Sequence, residues 1–250
     1  MGVNEESNFR LSVSKIEEYL KCPYSFWLTN IKKEEIKTVP KQLQEGIEKH
    51  KMFEDVVKKT KSELKTSDNS IKALEKNIVL MKDFKKYEND CKNFMKFCKN
   101  IAEKGGNPLP EFSEIKIFNS GLNLAGVIDR VDFDGKNVLI LDYKTGKDNN
   151  IDNYYFQLAT YVILFEDEYF KSVSHWGIFF TKSGNFLIEP VNRLVVQNAK
   201  DKIMLSEQMI SSSVKTKYFP KTPNHLCNWC TWYQNKKCDG RDTEPFIKVI

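Results

Sequence analysis

Long apolar runs are missing from this chain. No uninterrupted apolar stretch of about 18 or more residues occurs among its 250 residues, and a membrane-spanning helix needs about that length. The N-terminal stretch MGVNEESNFR carries acidic side chains and no apolar segment, so it does not resemble a secretory signal. From these absences we expect a cytoplasmic protein with no membrane partner.

A strong excess of charge of one sign is also lacking. The chain has 39 Lys and Arg residues against 34 Asp and Glu residues, which gives a net charge of +5. This modest excess permits a polyanionic partner without requiring one. With 40% hydrophobic residues, the chain is long enough to bury one large core, and we expect a single domain over residues 1–250. The nucleotide-binding motif G-x-x-x-x-G-K-[ST] is absent, so any ATP-driven step would need another chain.

The spacing of apolar residues predicts a mixture of helices and strands. In chain order the predicted elements are helices over 12–29 and 42–103, strands over 114–118, 122–133 and 136–143, a helix over 154–165, strands over 175–181 and 185–190, and a helix over 191–213. Pro23 predicts a break in the first helix, and the polar segment 65–70 predicts one in the second. The first three strands, joined by short turns, are expected to form an antiparallel meander.

One predicted strand ends in an unusual charge pattern. The stretch VLILDYKTG, residues 138–146, runs from apolar residues into Asp142 and Lys144, which point to the same face of a strand because they are two residues apart. The preceding strand, GVIDRVD over 126–132, offers Asp129, and antiparallel pairing can bring it close to Asp142. Two carboxylates that converge in an apolar setting repel each other unless a proton or a cation lies between them. The pattern therefore favours a site for magnesium or manganese.

An isolated Asp-x-Lys has a simpler explanation. It is usually a surface ion pair or part of a turn, and matches to so short a motif are common. The second acid on the neighbouring strand weakens that explanation. By contrast, Asp132 and Asp134 are expected to be turn or solvent-facing acids. Arg130 points away from Asp129 along the strand, so we leave it out of the metal site, free to pair with a nearby acid.

The order of these motifs resembles the RecB-like branch of the PD-(D/E)XK nucleases. The matching motifs are GIEKH over 46–50, GVIDRVD over 126–132, DYKTG over 142–146 and QLATY over 157–161. The order is much more specific than any single motif. The resemblance implies an α/β (α+β) fold with a restriction-endonuclease-like core, in which helices flank a central mixed sheet. Together with the predicted elements it gives a helical insert over residues 42–104, whose helices between Lys51 and Glu103 match nothing specific in the family, ahead of a nuclease core over 111–190 and a helix over 191–213.

The resemblance also implies roles for individual residues. It implies metal ligation by His50, Asp129 and Asp142, assisted by the backbone carbonyl of Tyr143, with Lys144 as the catalytic lysine. Without the resemblance, a lone histidine on a charged helix would usually be exposed and without a special task.

Three further residues are implied to face the same site. Glu114 lies where some relatives place an additional acid. Gln157 and Tyr161 are four residues apart, so they share one face of a helix, and in the family such residues organise the active site and contact DNA. The alternative is that they have no role in the site, with Gln157 an ordinary polar residue beside Tyr161 in the core. His175 and His225 have no comparable context and are expected to be structural.

Cysteines form a second constellation. Cys227 and Cys230 make a C-x-x-C motif, Cys238 follows in the segment 214–240, which we expect to be a cysteine-rich loop, and Cys22 lies in the N-terminal helix segment 10–30. The residues alone leave zinc, an iron-sulfur cluster or disulfides open. Some members of the family bind a 4Fe-4S cluster through one cysteine before the nuclease core and three after it, so the resemblance implies such a cluster here, as a clamp that joins the termini. The remaining pair, Cys91 and Cys98, are expected to be small buried hydrophobes.

These expectations combine into a metal-dependent DNA nuclease. We expect an exonuclease on single-stranded DNA or DNA ends, with Mn²⁺ or Mg²⁺ and a structural 4Fe-4S cluster. Two alternatives stay open: a DNA-end-processing subunit that depends on a helicase or another DNA-processing protein, in recombination, repair or CRISPR adaptation, and a DNA-binding protein with a weakly active site. Candidate contacts to DNA are phosphate-binding lysines and base-stacking aromatics, namely Lys58, Lys59, Lys85, Lys86, Tyr154, Tyr155 and Trp229.

Overall fold

The computed structural model describes residues 9–35, 41–64, 70–146 and 150–240. The chain divides into two compact units. Unit 1 consists of Met1–Thr38, Ser120–Leu124 and Lys200–Ile250, and unit 2 of Val39–Asn119 and Ala125–Ala199. The single domain expected from the sequence stays a prediction. Within the described ranges, no helix is both long and apolar enough to cross a membrane.

A five-stranded mixed sheet forms the frame of the fold. Its strands are β1 (Phe112–Asn119), β2 (Leu124–Phe133), β3 (Val138–Lys144), β4 (His175–Phe180) and β5 (Phe186–Pro190), and they lie side by side in chain order. Strand β3 pairs antiparallel with β2 and parallel with β4, and β4 pairs antiparallel with β5. The predicted central mixed sheet is confirmed, and each predicted strand boundary lies within about two residues of the observed one.

Eight α-helices accompany the sheet in the described part of the chain. They are α1 (Val13–Lys21), α2 (Pro23–Phe26), α3 (Lys41–Glu63), α4 (Ser70–Val79), α5 (Glu88–Glu103), α6 (Tyr155–Tyr169), α7 (Arg193–Thr216) and α8 (Thr231–Gln234). The predicted break at Pro23 is confirmed, because Cys22 is extended and the proline begins α2. The break predicted over 65–70 falls almost wholly outside the described residues. A second interruption, between α4 and α5, was not predicted.

Helices α3, α4 and α5 cover one side of the sheet in unit 2. Their buried side chains pack with Tyr143 of β3 and Phe179 of β4 in one hydrophobic core. Phe53 of α3 and Phe94 of α5 stack with their ring centroids 4.4 Å apart. Cys91 and Cys98 are fully buried in this core, as expected for small hydrophobes. The helical insert thus supplies the core that supports β3, the strand with the Asp-x-Lys motif.

Unit 1 joins the N-terminal helices to the C-terminal segment through ordinary protein contacts. The Tyr19 hydroxyl of α1 lies 2.7 Å from Ser213 Oγ of α7, and the amide of Tyr24 donates to the carbonyl of Pro220 over 3.1 Å. The ring of Phe26 stacks on Phe219 with centroids 6.4 Å apart. Hydrogen bonds and a ring contact thus connect the two segments.

Candidate active site

The residues expected to form the nuclease site come together in unit 2. Helix α3 contributes His50, β1 contributes Glu114 and β2 contributes Asp129, while β3 contributes Asp142 and Lys144. Helix α6 contributes Gln157 and Tyr161. The sheet register explains the meeting, because Arg130 pairs with Leu141 and the next step of the same antiparallel ladder leads to the two aspartates.

His50 lies between two carboxylates. Its Nδ1 atom is 3.2 Å from Glu114 Oε1 and 3.3 Å from Asp129 Oδ1, and its Nε2 atom is 3.0 Å from the carbonyl oxygen of Tyr143. One potential ligand atom from each of His50, Glu114 and Asp129 lies within 4.8 Å of the other two. Within the described ranges this is the one such group of three or more His, Cys, Asp or Glu side chains.

The electrostatics of this group favour a positive charge. Burial by itself lowers the pKa of His50, but hydrogen bonds to Asp129 and Glu114 outweigh burial and raise that pKa to about 11. Burial and the charge of Asp142 raise the pKa of Asp129, although His50 opposes the shift. The carboxylates around His50 thus favour a positive charge between them. The oxygen and imidazole donors of the group are those that divalent ions take in proteins.

Asp142 stands beside this group rather than within it. Its Oδ2 atom lies 2.7 Å from Lys144 Nζ, yet it is buried and has no partner with hydrogen-bond geometry. Gln157 donates to the other oxygen, Oδ1, over 2.8 Å and accepts from Lys144 Nζ over 2.6 Å. The amide therefore holds the acid and the amine in one arrangement, and it leaves one buried carboxylate oxygen available.

Tyr161 and Tyr143 complete the surroundings of the two aspartates. The Gln157 amide also donates to the Tyr161 hydroxyl over 2.7 Å, and that hydroxyl is 3.5 Å from Asp142 Oδ1. The amide of Tyr143 donates to Asp129 Oδ2 over 2.6 Å. The backbone of one residue thus fixes Asp129 through its N–H and approaches His50 through its carbonyl.

Some sequence-based assignments near the site need correction. Asp132 is not a turn or solvent-facing acid, because it lies in β2 and accepts from Arg130 Nε over 2.7 Å. Arg130 is fully buried and also donates to the carbonyl of Pro108 over 3.3 Å. Lys49 of α3 is only 2% exposed, although lysines are rarely buried unless they are paired. It pairs with Asp90, which is 41 residues away in the sequence, so only the fold could reveal the pairing.

The candidate DNA contacts comprise three aromatic residues and four lysines. Tyr154, which lies just before α6, has its ring 4.7 Å from Lys144 Nζ, and Trp229 in unit 1 is 72% exposed. Tyr155 donates to Glu189 over 2.9 Å, and its role at DNA stays a prediction. Lys58 forms an ion pair on its own helix and Lys86 pairs with Glu48. Their role at DNA stays a prediction, as it does for Lys59 and Lys85.

The four cysteines expected to bind a cluster lie in unit 1. Cys22, Cys227, Cys230 and Cys238 are all partly exposed and free of disulfides, and they line one cavity of about 530 Å³. Backbone amides of Asn224 and Gly240 lie 3.4 Å from the sulfur atoms of Cys227 and Cys238, respectively. No three of the sulfurs lie within 4.8 Å of one another.

Known proteins resemble this chain over almost its whole length. The model of the PD-(D/E)XK nuclease superfamily matches residues 10–234. Among solved structures, a candidate exonuclease from Eubacterium rectale is 16% identical with a TM-score of 0.53, over 100% of this chain and 96% of that chain. The structure of SSO0001 is 13% identical with a TM-score of 0.36, over 97% of this chain and 91% of that one. No curated protein matches.

The first structural likeness concerns the fold alone, and the second is too distant to support an argument. The family match carries further, because it spans both the strands that hold the two aspartates and the helix that holds His50. The chain belongs to the PD-(D/E)XK nuclease superfamily.

Proposed function

We propose that the protein is a divalent-metal-dependent deoxyribonuclease that hydrolyses phosphodiester bonds as an exonuclease on single-stranded DNA or DNA ends. The observation that supports it most is the group of His50, Glu114 and Asp129, whose potential ligand atoms lie within 4.8 Å of one another. Family membership gives the reaction class. The name of the Eubacterium rectale protein, an exonuclease, favours attack from an end.

The residues present fit Mn²⁺ or Mg²⁺. His50, Asp129 and Asp142 would hold the ion, together with the carbonyl of Tyr143, and Glu114 would add a further oxygen. The buried Oδ2 atom of Asp142, which lacks a hydrogen bond, is the kind of atom that an ion would satisfy. When bound, the ion supplies Lewis-acid activation of water and neutralises charge on the phosphate.

Lys144 supplies a positive charge to the site from the protein's own side chains. Its ammonium carries three N–H donors; one donates to Gln157 Oε1 over 2.6 Å, and Nζ forms an ion pair with Asp142 Oδ2 at 2.7 Å without hydrogen-bond geometry. A further N–H would stabilise the charge that develops on a phosphate oxygen during hydrolysis. Gln157 positions this amine, and Tyr161 positions Gln157 through their 2.7 Å hydrogen bond.

End-labelled DNA tests the proposed activity directly. Single-stranded and double-stranded substrates, labelled at the 5′ or the 3′ end, are incubated with Mn²⁺, Mg²⁺ or chelator. We expect stepwise shortening that depends on the ion and that Asp142→Ala and Lys144→Ala each reduce at least about a thousandfold. Lys182→Ala, a change in the β4–β5 turn, serves as the matched control and should keep activity. Cleavage that persists in both site variants would refute the proposal.

Dependence on a partner is the second candidate for function. It is favoured by the missing nucleotide-binding motif, since unwinding of duplex ends would need another protein. Full activity of the isolated protein on single strands, with none on blunt duplexes, would support a separate helicase. Weak activity on every substrate, despite Mn²⁺ binding, would support a partner that completes the site.

We also propose that Cys22, Cys227, Cys230 and Cys238 bind a 4Fe-4S cluster. They share one cavity, and amides point at two of the sulfurs, which is how proteins tune such clusters. A tetrahedral zinc ion with Zn–S of about 2.3 Å would bring the sulfurs to about 3.8 Å from one another, whereas no three of these sulfurs lie within 4.8 Å of one another. Anaerobic protein should contain iron and sulfide and absorb visible light. Stoichiometric zinc without iron would contradict the proposal.

A further inference from the structure

A buried polar cluster lies behind the candidate active site in unit 2. It consists of Lys49 on α3, Asp90 on α5 and Thr181 at the end of β4, which are 2%, 7% and 0% exposed. Lys49 Nζ donates to Asp90 Oδ1 over 2.8 Å, and the Thr181 hydroxyl donates to the same oxygen. One carboxylate oxygen therefore links three elements of the fold.

Two of these elements carry residues of the site. Lys49 directly precedes His50 in α3, and the amide of Thr181 donates to the carbonyl of Lys144 over 2.9 Å. Helix α5 reinforces the second link, because Asn93 donates to the carbonyl of Thr181 over 2.9 Å. The path from the histidine to the catalytic lysine through Asp90 consists of covalent bonds and short hydrogen bonds only.

Stability alone is a poor explanation for such a cluster. An ion pair in a core loses its hydration, and replacing it by well-packed apolar residues is often neutral or stabilising. The surroundings here are apolar, since α3 and α5 share the core of Phe53 and Phe94. Apolar contacts do not depend on angle, whereas hydrogen bonds do. The hydrogen bonds from Lys49 and Thr181 to one oxygen therefore fix the position of α3 relative to the end of β4.

We infer that Asp90 is a positioning residue for the nuclease site, which sets the separation of His50 and Lys144 from behind. The inference rests on the proposed function, because it assigns Asp90 to the metal site and to the amine that serves it. Helix α5 thereby gains a role beyond covering the sheet. Residues of this kind act on metal affinity and turnover without touching substrate.

Four variants separate positioning from stability. The double variant Lys49→Met with Asp90→Leu replaces the ion pair by apolar residues, and we expect it to stay as stable as the wild type. Asp90→Asn keeps the oxygen acceptor but leaves the Lys49 ammonium without its counter-charge, so it should be less stable. Thr181→Val removes one donor. Leu74→Ala creates a cavity in α4, away from the cluster, and lowers stability only.

Mn²⁺ affinity, measured by calorimetry on metal-free protein without DNA, is the deciding readout. The apolar double variant should bind Mn²⁺ about tenfold more weakly than the wild type, with a lower kcat and an unchanged KM for single-stranded DNA. Thr181→Val should show a smaller loss. Asp90→Asn and Leu74→Ala should bind Mn²⁺ like the wild type, despite lower unfolding temperatures.

The possible outcomes divide cleanly. Affinity that follows stability across the four variants, or an apolar double variant with unchanged affinity and kcat, would overturn the inference and leave the proposed nuclease intact. Wild-type protein that binds Mn²⁺ but cleaves no DNA would refute the proposed activity, while the affinities still decide the role of Asp90. Wild-type protein that binds no Mn²⁺ would refute both the proposed metal-dependent activity and the role of Asp90.

Discussion

Glu114 adopts a backbone conformation that ordinary residues avoid in strands. Its φ angle is +51° within β1, in the left-handed region, which costs a residue with a side chain about 1–2 kcal/mol. The conformation accompanies a specific contact, because its carboxylate reaches His50 Nδ1 at 3.2 Å. Local strain at this position is consistent with a residue held for function, as in other active sites.

This strain predicts an unusual order of stability. Glycine adopts positive φ freely, whereas alanine retains the strain, so Glu114→Gly should be more stable than Glu114→Ala by about 1 kcal/mol. Both variants lose the contact to His50, so their difference isolates the backbone. Urea unfolding measures it. Lys116, an exposed residue of the same strand without positive φ, is the control, and there the alanine variant should be the more stable one.

The proximity of Asp129, Asp142 and Lys144 was predictable because the motifs that carry them lie on adjacent strands. Asp129 and Asp142 needed only an antiparallel meander to meet, and alternation placed Lys144 on the same face as Asp142. The φ angle of Glu114 gave no sequence signal, since glutamate rarely adopts it. Lys49 looked like any solvated lysine, and its burial depends on an acid from a helix far away in sequence.

Two buried cysteines give the core of unit 2 a dependence on pH. Burial raises the pKa of Cys91 to about 12 and of Cys98 to about 11. Because these values lie above the ordinary 9.0, the unfolded chain loses its thiol protons first as pH rises. The free energy of unfolding should therefore be unaffected by these thiols below about pH 9 and fall between about pH 9 and pH 12.

The matched variant isolates these thiols from the other groups that titrate in alkali. Cys91→Ala with Cys98→Ala should show a smaller fall in the free energy of unfolding between about pH 8.5 and pH 10.5 than the wild type. Equal slopes would contradict the prediction. Iodoacetamide provides a second measurement, since at neutral pH it should leave both thiols unmodified until the protein unfolds.

At the scale of elements, Arg130 fastens the segment between α5 and β1 to the sheet. Its guanidinium is fully buried, lies 5.4 Å from the ring centroid of Phe97, and donates to Asp132 and to the carbonyls of Asn107 and Pro108. A planar donor of five N–H groups suits this arrangement, whereas a lysine would not match it. One strand residue thus holds the segment that leads into β1, the strand with Glu114.

Removing one partner of this ion pair should be costly. Asp132→Ala leaves a buried guanidinium without its counter-charge, and we expect a loss of about 3–5 kcal/mol in the free energy of unfolding. Glu88→Ala, which removes an exposed ion pair with Lys92 on α5, should cost about 1 kcal/mol or less. Urea unfolding of both variants provides the comparison. Equal losses would show that Asp132 contributes no more than a surface pair.

The order of the elements was predictable and some of their boundaries were not. Alternating apolar residues and short turns fixed the strands, because period two differs sharply from the helical period. The interruption between α4 and α5 was missed, since Phe84 and Tyr87 keep an apolar spacing through it. The segment 214–240, expected as a cysteine-rich loop, contains two short helical segments, His225–Trp229 and Thr231–Gln234.

At the scale of the whole molecule, hydrogen bonds join the N-terminal helices of unit 1 to its C-terminal segment. Tyr19 and Tyr24 hold the C-terminal segment through hydrogen bonds, and Trp232 Nε1 donates to Thr29 Oγ1 over 3.3 Å. The proposed cluster would add a covalent tie between Cys22 and the C-terminal cysteines. Because these hydrogen bonds do not involve the cluster, the N-terminal helices and the C-terminal segment should stay associated when the cluster is lost.

This difference predicts how unit 1 responds to loss of each tie. Cys22→Ser should abolish iron incorporation and lower the unfolding temperature, since a ligand bound only by the folded protein stabilises it, yet far-UV circular dichroism should stay close to that of the wild type. Tyr19→Phe removes one hydrogen bond, so it should retain iron and lose only about 1 kcal/mol. A Cys22→Ser protein with no helical signal would show that the cluster, rather than packing, forms unit 1. Full iron content in that variant would instead exclude Cys22 as a ligand. The cluster would then be held by the C-terminal cysteines without Cys22, and it would not tie the N-terminal helices to the C-terminal segment.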